Sequence, residues 1–240
     1  MPEKQIEAHN LPRIIFRLMG GPLIQLIDGI TTGNIDKIIT AVIVLAVLLL
    51  IAFPVHEAAH AITAKWLGDD TAERMGRVTL NPLKHLDPIG TLLFVISGFG
   101  WAKPVPVNLY RLNGNPRTSF AIVALAGPIS NILLAAIFAL IYRLTVASAV
   151  ESNDISSIIS SACAFAVVLN IALAVFNMIP IPPLDGSRLL AALLPEQGQS
   201  ILDFLERYGF FILIALSVTR VLSAIVGPPI NFLFNLFLRS

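Results

Sequence analysis

The apolar run at residues 38–64 is the feature that most restricts how this chain can fold. A helix needs about 20 mostly apolar residues to cross the hydrocarbon core of a bilayer, and this run is longer. Residues 119–142 and 161–184 form two further runs of the same kind. The chain is 56% hydrophobic and 13% charged, whereas soluble domains carry about 25% charged residues. The sequence therefore predicts a polytopic membrane protein.

The C-terminal stretch, residues 210–238, is apolar but interrupted by Arg220 and by Gly227-Pro228-Pro229. We expect two helical elements there that turn at the Gly-Pro-Pro sequence.

The chain divides into three predicted parts by composition. Residues 1–37 mix apolar side chains with charges, glycines and prolines, which is typical of an interfacial or broken helical segment. Residues 38–190 are predicted to form the membrane core, and residues 191–240 the C-terminal helices. The net charge is only +1, so nothing indicates a nucleic-acid partner. Cys163, within an apolar run, is interpreted as a small lipid-facing or core residue.

An H-E-x-x-H pattern, from His56 through Glu57 to His60, lies inside the first apolar run. Residues i and i+4 share one face of a helix, so both imidazoles can point at one Zn²⁺ with Glu57 beside the open position. A chance match is the alternative, but ionisable groups are costly in an apolar span and are rarely kept there without a partner or a function. The pattern therefore predicts a zinc site in which Glu57 takes a proton from water.

A catalytic zinc usually has three protein ligands, so a third is expected elsewhere. His85 and His9 are candidates, although a histidine in a loop or a tail is more often structural. Asp185 fits better, because it follows a segment with three prolines that cannot form a regular helix. Irregular backbone at membrane depth is tolerated where protein or a cavity satisfies it. The alternative for Asp185 is an ordinary loop aspartate at the end of a span.

The positions of these ligands restrict the topology. The histidines and Asp185 can meet only if an even number of crossings separates them, and residues 119–142 and 161–184 provide two. The short apolar run at 89–100 must then enter and leave on one face, which predicts a re-entrant, β-like segment near 89–112. The predicted fold class is an all-α polytopic membrane protein with about five to six transmembrane helices.

The distribution of basic residues predicts the orientation. Residues 65–117 would lie on one side and contain seven basic residues, whereas residues 143–160 contain one basic residue and two acids, Glu151 and Asp154. The positive-inside rule places the basic segment in the cytoplasm, so the site is expected near the cytoplasmic side of a cell membrane. The seven are Lys65, Arg74, Arg77, Lys84, Lys103, Arg111 and Arg117.

Asn131 lies near the middle of the second long run, after Gly127 and Pro128. An asparagine inside a membrane commonly forms hydrogen bonds between helices. The functional alternative is a donor to the oxyanion or to the substrate backbone, and both interpretations stay open.

These motifs resemble the site-2 protease family of intramembrane zinc metalloproteases, in its small form without PDZ or CBS domains. The resemblance covers roughly residues 38–190 and rests on five pieces. They are the H-E-x-x-H pattern, Gly127-Pro128 with Asn131, Asn177 through Asp185-Gly186, Asn81-Pro82-Leu83, and residues 100–108. One departure is Ser187, where the family often has a second glycine.

The resemblance implies an activity and the residues that carry it. It implies that His56, His60 and Asp185 bind one zinc ion, that Glu57 is the base, and that Asn131 steadies the substrate or the tetrahedral intermediate. The expected substrate is a transmembrane protein, cut within or next to the lipid bilayer. We further expect Val105 to Val107 to pair with the unwound substrate as a β-strand would.

Two other functions are compatible with a zinc site in a membrane protein. A zinc-binding scaffold could hold transmembrane partners without cutting them, but such a protein would have no need of Glu57. A metal-ion transporter would be expected to place polar residues in several spans, and few are found.

Overall fold

The computed structural model describes residues 22–97, 100–148 and 154–238, and most of this chain is helical. The helices are α1 (Pro22–Thr32), α2 (Ile35–Val47), α3 (Phe53–Trp66), α4 (Thr71–Arg74), α5 (Pro88–Ser97), α6 (Pro116–Ser148), α7 (Asp154–Asn177), α8 (Gly186–Leu193), α9 (Gln199–Val218) and α10 (Val221–Leu238). Single turns of 3₁₀-helix lie at Pro82–Lys84, Leu109–Arg111 and Glu196–Gly198. Within the described ranges no strand forms.

Four helical stretches in the described chain are long and apolar enough to cross a membrane. They agree with the predicted all-α, multi-pass class, whereas the number of five to six crossings stays a prediction. The four stretches are Ile35–Trp66, Pro116–Val146, Ile159–Asn177 and Val221–Leu238.

The first span is one continuous helix with a change of pitch in its middle. One turn of π-helix, Leu48–Ala52, connects α2 to α3. Pro54 follows directly, and because proline has no N–H it cannot continue the α-helical hydrogen-bond ladder. Single π turns inside α-helices are often found at functional sites. The turn of helix that carries the H-E-x-x-H pattern begins immediately after this irregularity.

Helices α6 and α7 form the most extensive helix pair, and α3 packs against α6. The buried face of α3 consists largely of small residues, since Ala58, Ala61 and Ala64 are almost completely inaccessible to solvent. Small residues allow the backbones of membrane helices to approach closely. The result is that two histidines of α3 lie directly against α6.

The C-terminal part differs from the prediction in the position of its turn. Helix α10 runs straight through Gly227, Pro228 and Pro229. The chain turns earlier, at Arg220, whose φ of 62° lies in the left-handed region and interrupts the helix. The expectation of a turn at Gly-Pro-Pro was therefore wrong. Helix α10 packs against α7, and Ile230 is buried in the core cluster that also contains Ile171 and Leu213.

The predicted re-entrant segment is a short helix followed by a returning chain. After α5, the chain comes back to the start of the same helix, where Leu86 and Ala102 form an isolated antiparallel bridge. The return is tight, because a Cβ atom on Gly90 would lie 2.9 Å from Cδ1 of Trp101. The two ends of the segment therefore meet on one side. Among the described residues of 89–112 no β-strand forms, and the interaction of this segment with substrate stays a prediction.

The proposed N-terminal part, residues 1–37, lies mostly outside the described residues. From Pro22 it forms α1, a turn at Gly33 with φ of 64°, and the beginning of α2. The hydroxyl and amide groups of this turn are satisfied locally, and Asn34 caps α2 by accepting from the backbone N–H of Lys37 at 3.1 Å. The division of the chain into three parts remains a prediction.

Candidate metal centre

His56 and His60 lie one helical turn apart on the buried face of α3, and they are 5% and 7% exposed. Their rings meet edge to face, with centroids 4.7 Å apart. The Nε2 atoms of the two rings are 3.1 Å from each other. The i, i+4 spacing thus brings both imidazoles to a common point, as the sequence predicts.

Asp185 reaches the same point from the turn between α7 and α8. Helix α7 ends at Asn177, and the proline-rich chain that follows leads back toward α3. Gly186 allows this path, because a Cβ atom there would lie 2.6 Å from the carbonyl oxygen of Ile179. Ser187, the departure from the family pattern, is accommodated, since its buried hydroxyl donates to the carbonyl of Leu184 at 2.7 Å.

The three predicted ligands converge. Oδ2 of Asp185 lies 3.2 Å from Nε2 of His56 and 3.4 Å from Nε2 of His60. The ligand atoms of all three residues lie within 4.8 Å of one another. In the described part of the chain this is the group of His, Cys, Asp and Glu side chains arranged to hold a metal ion.

Hydrogen bonds on the far side of each imidazole set its tautomer. Nδ1 of His60 lies 2.7 Å from the carbonyl oxygen of Val123, which can only accept, so Nδ1 carries the proton. Nδ1 of His56 lies 2.6 Å from Oδ1 of Asn131 and donates to it in the same way. In the neutral imidazole the other nitrogen then keeps its lone pair. Both Nε2 atoms consequently present lone pairs to the centre.

Three electron-pair donors therefore face each other without a proton to share. Oδ2 of Asp185 is buried and has no hydrogen-bond partner, and buried polar atoms are rarely left in that state. A cation at the centre would satisfy the carboxylate and both imidazoles together. Two imidazole nitrogens and one carboxylate oxygen match the ligand set of a catalytic zinc, with a fourth position open.

Gly127 of α6 is required by the closeness of the imidazoles. A Cβ atom at this position would collide with Nε2 of His60 and would lie 2.6 Å from Cε1 of His56. Both atoms belong to the rings that face the centre, so neither could move without disturbing it. Pro128, the next residue, lies inside α6 and removes one hydrogen bond of the helix at the level of the site.

Asn131 is completely buried and belongs to a line of amides that leads away from His56. Its Nδ2 donates to Oδ1 of Asn170 in α7 at 3.0 Å. Asn170, also completely buried, donates in turn to the carbonyl of Ala166 at 2.9 Å. Asn131 thus contacts a metal-binding candidate directly, and its predicted interaction with substrate stays a prediction.

Asn170 was missed by sequence reasoning. A polar amide in the middle of an apolar run was the available signal, since such residues are rare and commonly find partners in other helices. The partner could not be named without the packing of α6 against α7. Val123 was missed for a different reason, because it contributes a main-chain carbonyl that no side-chain pattern reveals.

Glu57 lies beside the centre on α3 and is partly exposed. Its carboxylate makes no hydrogen bond and no ion pair with the described residues, although its charge acts on His60 and on Arg77. A carboxylate that is close to the centre and not engaged by the protein is available to accept a proton.

Of the other two histidines, the structure describes one, His85, and it does not join this centre. His85 is completely buried in the loop before α5, where its Nε2 donates to the carbonyl of Thr79 at 2.7 Å, and it is not in the converging group. His9 lies outside the described residues.

Comparison with known proteins supports the same conclusion. The model of peptidase family M50 matches residues 144–220, a range that contains Asp185 and Asn170. A Bacillus subtilis (strain 168) protein is 41% identical over 188 residues, which are 78% of this chain and 85% of that protein. The chain belongs to peptidase family M50. A Mycolicibacterium smegmatis protein is 32% identical over 179 residues, 72% of this chain and 66% of that protein.

Both relatives are named putative zinc metalloproteases, YwhC in the first organism and Rip2 in the second. No solved structure matches the chain. Zinc, the metal in both names, agrees with the two imidazoles and the carboxylate of this family M50 peptidase. The predicted cofactor and the predicted family are thus confirmed.

Proposed function

We propose that this protein is an intramembrane metalloprotease that hydrolyses peptide bonds of transmembrane proteins near the cytoplasmic side of the cell membrane. The observation that carries the proposal is the convergence of His56, His60 and Asp185 beside the unengaged carboxylate of Glu57. Family membership supports peptidase activity, and the four apolar helices support a substrate that reaches the site from the bilayer.

His56, His60 and Asp185 would hold the zinc ion. When bound, zinc polarises a carbonyl group and lowers the pKa of water, which is the chemistry needed for amide hydrolysis. Asn131 and Val123 keep the Nε2 atoms of the histidines available by accepting from their Nδ1 atoms. Since both acceptors belong to α6, that helix fixes the orientation of the imidazoles.

Glu57 performs the proton transfers. Its carboxylate accepts a proton from the attacking water as the oxygen forms a bond to the scissile carbonyl carbon. The same proton then passes from Glu57 to the nitrogen of the leaving amine as the C–N bond breaks. Because no hydrogen bond holds the carboxylate, it can rotate between these two positions.

The experiment that tests this function is cleavage of a panel of single-span model substrates by the purified protein in proteoliposomes. Glu57→Gln should lower kcat by about 10²–10⁴-fold, the usual contribution of a general base, while zinc remains bound. Glu73→Gln is the matched control, because Glu73 is exposed and forms an ion pair with Lys65 at 2.6 Å. A zinc chelator should abolish cleavage.

A different outcome would favour the zinc-binding scaffold. If zinc is bound stoichiometrically, no substrate in the panel is cut, and Glu57→Gln behaves as the unaltered protein does in cells, the protease proposal is wrong.

The chain that returns after α5 has backbone N–H groups that could bind the substrate. Val105 and Val107 alternate with Pro104 and Pro106, and the backbone N–H groups of the two valines donate to no other described residue. N–H groups two residues apart on extended chain point the same way, so both could donate to the backbone of an unwound substrate. The side chain of Val107 packs against a small buried cluster that contains Val123, and the carbonyl of Val123 accepts from His60.

Proline substitutions test this pairing. Val105→Pro and Val107→Pro each remove one N–H group and should raise KM by about 10-fold, the equivalent of one hydrogen bond in a site shielded from water. Val105→Ala and Val107→Ala keep the N–H groups and serve as controls. Zinc content should be unchanged in all four variants. Unchanged cleavage by both proline variants would contradict the pairing.

A further inference from the structure

Arg77 is a basic residue whose side chain is buried, with 3% of its surface exposed. Among the described residues, its guanidinium donates only to main-chain carbonyls. One terminal nitrogen, Nη1, donates to Lys84, and the other, Nη2, donates to Lys103 and to Pro104, the latter at 3.0 Å. Arg77 therefore binds two separate stretches of backbone at once.

The charge of Arg77 is not neutralised by an ion pair with any described residue. Burial lowers the pKa of its guanidinium, and the charge of Glu57 acts in the opposite direction. Burying a cation without a paired anion is costly. The reason for burying Arg77 therefore lies in the backbone that it holds.

The two bound stretches are the two ends of the re-entrant segment. The backbone N–H of Lys103 donates to the carbonyl of His85 at 2.8 Å, next to the bridge between Leu86 and Ala102. This pairing does not continue past Lys103, because the N–H group of Val105, the next residue that would face the partner stretch, donates to no described residue. At that point the hydrogen bonds from the guanidinium of Arg77 connect the two stretches instead.

The opposite end of the extended chain has its own attachment. Oδ2 of Asp69, a completely buried carboxylate, accepts from the backbone N–H of Asn108 at 2.6 Å. Between Pro104 and Asn108, the N–H groups of Val105 and Val107 remain available. The chain is thus fixed at both ends and open in its middle.

The contacts near Lys84 also determine where residues 103–107 lie relative to the metal centre. The 3₁₀ turn at Pro82–Lys84 contacts the π turn Leu48–Ala52, which directly precedes the H-E-x-x-H pattern. Because Arg77 connects the backbone at Lys84 to the backbone at Lys103, the position of α3 also fixes the position of the chain that carries Val105 and Val107.

We propose that Arg77 is a positioning residue that holds the backbone of residues 103–107 in register with the metal centre, so that an extended substrate backbone can pair with it. The inference rests on the proposed protease function. Five donors in a rigid planar fork allow arginine to bind several carbonyls together, and lysine, with a single ammonium group, cannot reproduce this geometry.

The test measures substrate position directly and kinetics separately. Cys163 is the single cysteine of the chain, so Cys163→Ala allows Val105→Cys to be cross-linked to a cysteine placed beside the scissile bond of a model substrate. Glu57→Gln is included so that the substrate remains intact. Arg77→Gln, Arg77→Lys and the control Arg74→Gln are then compared. Arg74 is exposed and forms an ion pair with Asp70 at 2.7 Å.

Arg77→Gln should lower the cross-linking yield by about 10-fold or more, since a displacement of about 1 Å in a site can cost 10²-fold. In the cleavage assay, with Glu57 and Val105 restored, KM should rise while zinc content stays stoichiometric. Arg77→Lys should show an intermediate loss, and Arg74→Gln should behave as the parent.

Two results would overturn the proposal. One is parental cross-linking and KM in zinc-loaded Arg77→Gln. The other is a loss of activity that follows the loss of zinc in strict proportion, because Arg77 would then only support folding. If Arg77→Gln does not fold, Arg77→Lys decides on the same two criteria. If the parent neither cuts nor cross-links any substrate, the protease function itself fails and this inference fails with it.

Discussion

Two buried polar clusters of this protein each connect separate parts of the chain, but they use different kinds of side chain. The line from His56 through Asn131 to Asn170 connects three long helices by neutral side chains. Arg77 connects two ends of a loop by donating hydrogen bonds from its charged guanidinium to main-chain carbonyls. Neutral amides are cheaper to bury than charges, which suits the apolar interior of the helices. The comparison shows that the two candidate histidine ligands are positioned by helices and the proposed substrate segment by a loop.

The helix-held cluster should be the less tolerant of the two. Gly127→Ala places a Cβ atom against both imidazoles, and the long helices α3 and α6 cannot separate locally to relieve it. We expect zinc binding to fall and cleavage to drop by at least about 100-fold, as for an active-site displacement of about 1 Å. Zinc content by elemental analysis and the rate of substrate cleavage would show this.

Gly227→Ala is the matched control for that substitution. Gly227 also lies inside a helix, but a Cβ atom there meets nothing within 4 Å. We expect normal zinc content. The free energy of unfolding should increase by about 0.5–1 kcal/mol, because alanine has a higher helix propensity than glycine. Normal zinc binding in Gly127→Ala would show that the cluster is more adaptable than its geometry indicates.

Asn170→Leu tests whether the amide line matters beyond the residue that touches His56. It keeps the approximate volume but leaves Nδ2 of Asn131 without its acceptor, so Oδ1 holds His56 less firmly. Residues that orient metal ligands typically contribute 10–100-fold to metal affinity, and we expect a loss within this range. Competition with a chromogenic chelator measures it without reliance on activity.

Ser130→Ala provides the control for Asn170→Leu. The hydroxyl of Ser130 donates to the carbonyl of Gly127 at 2.7 Å. Ser130 is next to Asn131 in the sequence, but it has no part in the line of amides. Zinc affinity should be unchanged. Equal losses in the two variants would mean that any polar contact in this region affects the centre, and the amide line would have no special role.

The smallest effect on the metal centre is expected from Asp69→Asn, because this carboxylate lies in the loop and its substitution acts on stability. Burial raises the pKa of the Asp69 carboxyl, but hydrogen bonds from Thr71 and Asn108 and the charge of Arg111 outweigh it, so the pKa is lowered. A lowered folded pKa means that the contribution to stability is complete above the ordinary value of about 3.9 and is lost as pH falls through the folded pKa.

We therefore expect Asp69→Asn to reduce stability by about 1.5–3 kcal/mol at pH 7, the range for hydrogen bonds to a charged group. The difference from the parent should narrow as pH falls below about 4. Thermal unfolding in detergent at pH 7 and pH 3 measures both values. Asp36→Asn, at an exposed position in the first turn of α2, is the control. A difference that does not depend on pH would contradict the assignment of the carboxylate.

Much of the metal centre could be predicted, because its residues either follow a local sequence pattern or are costly to place in an apolar span. The i, i+4 spacing of His56 and His60 places them on one helical face whatever the rest of the fold does. Ionisable residues in an apolar run need a reason to be there, and this argument selected Glu57 as well. Asp185 followed from the prolines that precede it, and the parity of crossings between the histidines and Asp185 then predicted the re-entrant segment.

The turn before α10 shows where a local signal failed. Gly227-Pro228-Pro229 favours a break in a helix, yet α10 continues and the chain turns at Arg220. Burial of Val226 and Ile230 against α7 stabilises the helix on both sides of the prolines, and tertiary packing commonly overrides intrinsic propensity in this way. An arginine with positive φ is not a pattern that sequence reasoning would choose.

The sequence by itself determined the membrane class, the pair of histidines, the candidate base and the candidate third ligand, because each depends on composition or on spacing within one segment. Only the tertiary structure decided that Asn170 supports Asn131, that Gly127 is needed beside the imidazoles, and that Arg77 binds the returning chain. Each of these depends on contacts between segments distant in sequence, often through main-chain carbonyls that every residue possesses. Their positions follow from packing, which no single segment encodes.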